Sequence, residues 1–173
     1  MVTEPVVTFE AHGNYVFQLH FTKDSQTLIS CGMDNLVKLW SVPGWEHKGT
    51  FEGHEKSVNT FDLSPDETIL ATGSTDNTVR LWSFPEGEPL NSMMDRKKPV
   101  SAVQFSKDGR WLASTSYSGR AVVWTIEGQE VVAIPASKKN LSSVAFSPDG
   151  SLLATAGLGN EIWIWSLPDG EAV

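Results

Sequence analysis

The chain has 173 residues, with 13 Lys and Arg against 21 Asp and Glu, for a formal charge of −8. A hydrophobic fraction of 40% with seven Trp excludes an intrinsically disordered chain, and no apolar run approaches the ~20 residues a membrane-spanning helix needs. Cys31 is the one cysteine, which excludes an internal disulfide and a cysteine-based zinc cluster. The acidic balance disfavours the phosphate backbone of nucleic acid. Met1-Val2-Thr3-Glu4-Pro5 has neither the basic start nor the apolar middle of a signal peptide. A cytoplasmic protein without nucleic-acid or membrane partners is expected.

In chain order, Glu4-Pro5-Val6-Val7-Thr8-Phe9 aligns with Glu88-Pro89-Leu90-Asn91-Ser92-Met93 further on. A unit then follows that recurs four times. Trp40, Trp82, Trp124 and Trp165 mark its period, as do Phe21, Leu63, Phe105 and Phe146, and Leu19, Phe61, Val103 and Val144. The second unit reads most clearly. Val58 to Leu63 alternates as a strand, and Ser64-Pro65-Asp66-Glu67 turns. Ile69 to Ser74 is a second strand, Asp76-Asn77 turns, and Thr78 to Trp82 is a third. Pro85-Glu86-Gly87 leads to a fourth strand around Leu90 to Met94. The later units repeat this punctuation at Lys107-Asp108-Gly109, Ser118-Gly119, Glu127-Gly128, Pro148-Asp149-Gly150, Gly159-Asn160 and Asp169-Gly170. Short alternating runs between such turns predict antiparallel β-structure, and no stretch carries helical periodicity. The expected fold is all-β, with one domain of four repeats at about 4–45, 46–87, 88–129 and 130–170. At the far end, Glu171-Ala172-Val173 aligns with the start of a fourth strand.

Gly53-His54 … Asp76 … Leu81-Trp82-Ser83 and Ala11-His12 … Asp34 … Leu39-Trp40-Ser41 resemble WD40 repeats, the four-stranded blades of β-propellers. Trp-Ser or Trp124-Thr125 stands where the family's signature has Trp-Asp. The resemblance implies a buried hydrogen-bonded set in each blade: His12, Ser30, Asp34 and Trp40 in the first unit, His54, Thr72, Asp76 and Trp82 in the second. The hydroxyl persists at Ser114 and Thr155, but Arg96 and Ser137 replace the His, and Ser118 and Gly159 replace the Asp. A buried polar network is stable only when its members are satisfied together, so the joint loss is physically consistent. Ser–His–Asp catalysis is the competing reading of these residues. Their recurrence with a Trp partner argues against it, and no phosphate loop, HExxH or independent carboxylate pair is present. No metal or cofactor is expected.

The same resemblance implies a ring. Four blades can close on themselves only with wider wedges than this family's blades usually have. Exchange of the N-terminal strand between two chains would instead give an eight-bladed homodimer of twofold symmetry. The alternative is that these units are part of a longer propeller, in a regulatory protein whose other domains carry activity. Function by resemblance is non-catalytic capture of protein or peptide partners on one loop face, with a propeller enzyme as the rival. That face maps to Tyr15, Met33, Lys56, Thr75, Arg96, Lys97, Lys98, Tyr117, Lys139 and Leu158. Arg96, Lys97, Lys98, Lys138 and Lys139 gather in two loops, which suits an acidic peptide. Trp45, after Pro43-Gly44, is expected to be an exposed aromatic.

Overall fold

The computed structural model describes residues 6–94 and 98–173. Within them the chain is all-β, with fifteen strands and no helix among the described residues. The first sheet is a meander of β1 (Val16–Phe21), β2 (Thr27–Gly32), β3 (Val37–Ser41) and β4 (His47–Phe51). The second comprises β5 (Val58–Leu63), β6 (Ile69–Ser74), β7 (Thr78–Ser83) and β8 (Pro89–Met94). The third comprises β9 (Val100–Phe105), β10 (Trp111–Ser116), β11 (Ala121–Thr125) and β12 (Glu130–Ile134). The fourth has three strands, β13 (Leu141–Phe146), β14 (Leu152–Gly157) and β15 (Ile162–Ser166).

Local chemistry explains why each meander turns where it does. Between first and second strands, a hydroxyl two residues before an Asp donates to that carboxylate: Thr22 to Asp24, Ser64 to Asp66, Ser106 to Asp108 and Ser147 to Asp149, all at 2.6–2.7 Å. The same oxygens accept backbone N–H groups across the turn, from Thr27, Ile69, Trp111 and Leu152. These hydroxyl bonds lead the causes that hold all four carboxyls below the ordinary range, to about 2 for Asp108 and Asp149. Between second and third strands the backbone enters the left-handed region at Asn35, Asn77 and Gly119, residue types that tolerate it.

Alternation then gives each sheet two apolar faces, and consecutive sheets stack through them. Ile29, Cys31, Val37, Leu39 and Phe51 of the first sheet pack against Val58, Phe61, Leu63, Leu70 and Trp82 of the second. Val79, Leu81 and Met93 repeat this against Val103, Phe105, Leu112 and Trp124. Ala113, Ala121, Val123 and Ile134 do so against Leu141, Val144, Leu153 and Trp165. The sheets are therefore blades, packed in chain order.

Side chains also tie neighbouring first strands together. The Gln18 amide donates to the Phe61 carbonyl at 2.9 Å and accepts the Phe61 N–H at 3.1 Å. Asn59 donates to the Val100 carbonyl, Asp62 accepts the Phe105 N–H, and Gln104 accepts the Phe146 N–H. Burial pushes the Asp62 carboxyl up, against the lowering effect of the Phe105 and Leu63 N–H groups and of His20.

The two end faces are largely open. Leu19, at the place of buried Phe61, is 59% exposed, and Val16 and Phe21 beside it are also open. On the fourth blade Ile162, at the place of buried Val37 and Val79, is 74% exposed. The expected N-terminal strand differs from the structure in one respect. Glu4 and Pro5 lie outside the described residues, and residues 6–12 form no strand. Phe9 instead covers the first blade, 5.0 Å from the Trp40 ring and 6.2 Å from that of Trp45. That contact also corrects the reading of Trp45, which is half-buried rather than an exposed aromatic. Beyond β14, β15 pairs with residues 171–173, through the Ser166 N–H to the Glu171 carbonyl, the Trp165–Ala172 bridge and the Val173 N–H to the Ile164 carbonyl.

Candidate functional site

Two constellations merit a chemical reading. The first is the polar set inside the first two blades. In the second blade the Trp82 indole N–H donates to the Thr72 hydroxyl at 2.9 Å, and Thr72 lies 2.7 Å from His54 Nε2. His54 Nδ1 stands 2.8 Å from Asp76. This order is met by a neutral imidazole that carries its proton on Nδ1, accepts from Thr72 and donates to Asp76. Asp76 also accepts the Thr78 hydroxyl and the backbone N–H groups of Thr78 and Glu55. Burial pushes the Asp76 carboxyl up, but the bonds from His54 and Thr78 outweigh it and hold it well below the usual carboxylate range.

The first blade repeats the chain. Trp40 donates to Ser30 at 2.8 Å, Ser30 lies 2.7 Å from His12 Nε2, and His12 Nδ1 is 2.8 Å from Asp34. Here too burial is outweighed by His12, and Asp34 is lowered. Such a set resembles a hydrolytic triad in composition only. The hydroxyl of each set is fully buried and receives an indole N–H, so it presents no nucleophile to solvent. In the later blades Trp124 donates to Ser114 at 2.9 Å and Trp165 to Thr155 at 3.0 Å. Burial of Cys31 pushes its thiol up to about 12, so the thiolate is not available. Among the described residues no three His, Cys, Asp or Glu side chains gather as metal ligands would.

The second constellation is a recurring pair at one end of every blade. A residue preceding the turn between second and third strands donates its N–H to the residue that leads into the first strand. The bonds are Met33 to Tyr15 at 2.8 Å, Thr75 to Ser57 at 2.9 Å, Tyr117 to Pro99 at 3.0 Å and Leu158 to Asn140 at 2.9 Å. Pairing at the bulged start of each first strand fixes this, because the register shifts there in all four blades. Tyr15 is 73% exposed and Leu158 is 70% exposed, with Met33 and Tyr117 also open. Thr75 is half-buried, its hydroxyl bonded to Asn59. Lys56, Lys98, Lys138 and Lys139 are exposed in the loops beside these pairs. Arg96 and Lys97 lie outside the described residues.

Sequence reasoning missed the ties made by Gln18, Asn59, Asp62 and Gln104. Gln18 and Asn59 have no amide at the same place in the other units, whereas Asp62 and Gln104 stand 42 residues apart at one repeat position, a recurrence that could have marked them. It also left open what fills the place of the lost His and Asp in the fourth blade. The structure has a cavity of about 660 Å³ there, lined by residues 135–139, 159–161 and Trp163.

Comparison with curated proteins gives no match. The family model described as WD domain, G-beta repeat matches four times, at residues 3–41, 45–83, 87–125 and 128–166. Repeats of this family generally mediate protein–protein interactions and are typically non-catalytic. With four matched repeats, four stacked antiparallel sheets and the Trp–hydroxyl bond in every one, the chain belongs to the WD domain, G-beta repeat family.

Proposed function

We propose that this chain is a non-catalytic interaction module of the cytoplasm that captures an acidic protein or peptide segment on the face carrying Tyr15, Met33, Thr75, Tyr117 and Leu158. The observation that carries this reading is the pair of adjacent residues that every blade sets at the same end. Aromatic, Met and Leu side chains held on a rigid scaffold supply contact area, and three exposed lysines, Lys98, Lys138 and Lys139, supply charge of the sign an acidic segment needs. Arg96 and Lys97 precede Lys98 in the sequence. Changing Lys97, Lys98, Lys138 and Lys139 to Glu is expected to weaken binding of an acidic peptide by about tenfold or more, read by fluorescence anisotropy. Undiminished binding would overturn the assignment of the face.

The module works as an eight-bladed ring of two chains. Support comes from the end faces. Exposed Val16, Leu19 and Phe21 are the same repeat positions as buried Val58, Phe61 and Leu63, which pack on the preceding blade. Exposed Ile162 matches Val37, which packs on the following one. The two faces thus complement each other as internal ones do, and the part of the β15 edge before Ile164, which residues 171–173 leave unpaired, can receive the N-terminal segment of the partner. Light scattering is expected to give twice the 18.9 kDa of one chain, and Leu19→Asp with Phe21→Asp to return it to one chain's mass. A wild-type mass of one chain would refute the dimer, leaving the faces to further blades.

A further inference from the structure

The fourth blade contains a hole where the first two have a histidine and an aspartate. Counting by the repeat, Ser137 holds the place of His54, Gly159 that of Asp76, and Trp163 that of Arg80. All three line the cavity of about 660 Å³, a size in the range of about 300–1000 Å³ common to small-molecule sites. The loop does not collapse to fill it, because it is held on the neighbouring blade. The Ser137 N–H donates to the Gly119 carbonyl at 2.9 Å, and the Ser137 hydroxyl accepts the Lys139 N–H at 3.0 Å. Gly119 permits that approach, since a Cβ there would lie 2.0 Å from the Ser137 carbonyl oxygen.

The surroundings of the hole specify what it takes. Thr155 pairs across the ladder with Trp163, so both side chains stand on one face. Thr155 is 1% exposed and accepts the Trp165 indole N–H, so it lies behind the cavity wall rather than on it. Trp163 supplies a flat wall, stacked on Trp165 at 5.9 Å with 19° between the rings. Lys138 and Lys139 stand on the rim with Glu161, and Asn160 adds a neutral polar group.

We infer that this cavity binds a small planar aromatic ring carrying a carboxylate, the ring stacking on Trp163 and the carboxylate pairing with Lys138 and Lys139. The ligand occupies the space left by the histidine and aspartate that the fourth blade lacks, and its carboxylate takes the sign of the missing aspartate. The site shares Lys138 and Lys139 with the peptide-binding face, whereas Ser137, Gly159 and Trp163 belong to the cavity alone, so Ser137→His with Gly159→Asp tests it without touching the lysines of that face.

The test uses the full chain and imidazole-4-acetate, with imidazole and acetate alone as comparisons, read by tryptophan fluorescence and calorimetry. Imidazole-4-acetate is expected to bind saturably and about tenfold tighter than either fragment. Ser137→His with Gly159→Asp supplies the missing pair from the chain itself and should abolish binding while raising the melting temperature. The backbone accepts the second change, since a Cβ at Gly159 meets nothing nearer than 3.8 Å. Lys138→Glu with Lys139→Glu, at exposed positions that do not threaten folding, should weaken binding about tenfold. Absence of saturable binding, equal binding of the fragments, or unchanged binding by the lysine pair would each overturn the inference.

Discussion

Phe61→Ala is expected to destabilise the protein by about 3–5 kcal/mol, the range for removing a large aromatic from a packed core. Phe61 is 1% exposed and lies between the first two blades, against Ile29, Val37 and Leu39 on one side and Leu70 and Trp82 on the other. The surrounding sheets cannot close over the void, because the Phe61 backbone is held on both its polar groups by Gln18. Denaturant unfolding followed by Trp fluorescence measures the loss. Leu19→Ala is the informative comparison, being the same strand position on a largely open face. A loss of less than about 1 kcal/mol for Phe61→Ala would mean that the first two blades do not share a core.

His54→Ala is the second large effect, expected at about 1–3 kcal/mol. It leaves Thr72 without its acceptor and removes from Asp76 the donor that most lowers its carboxyl. The pH dependence gives the sign. Asp76 and Asp34 are lowered in the folded chain from the ordinary carboxylate value of 3.8, so the stability they contribute is present above that value and is lost as pH falls through their folded pKa. Raised Asp62 acts in the opposite direction, favouring the folded state as pH falls. Asp76→Asn and His54→Ala should therefore both flatten the acid limb of a melting-temperature profile between pH 7 and pH 2. A profile superimposable on that of the unmutated protein would remove the network from the account of stability.

The fold was legible because one pattern is written four times. Chance alternation in a single unit is ambiguous, but Trp40, Trp82, Trp124 and Trp165 in step with Phe21, Leu63, Phe105 and Phe146 leave one period and one register. The turns were readable for a local reason, since hydroxyl and Asp two residues apart close on each other whatever surrounds them. What stayed hidden depends on contacts between units. Gln18 and Asn59 tie blades from different strand positions, so no spacing announces them. Trp45 follows a turn with exposed neighbours, and only the path of residues 6–12 brings Phe9 onto it. Ser137 and Gly159 showed that a pair was lost. That a space remained required knowing that Gly119 anchors the loop elsewhere.

The side-chain ties between first strands all run one way. Gln18 holds Phe61, Asn59 holds Val100, Asp62 holds Phe105 and Gln104 holds Phe146, each reaching from an earlier blade to the backbone of the next. A ribosome delivers the earlier blade first, so each completed unit greets its successor with a docking hand already in position. Growth of the stack is thereby templated from its oldest member, and a chain cut from the front loses those hands while their targets remain.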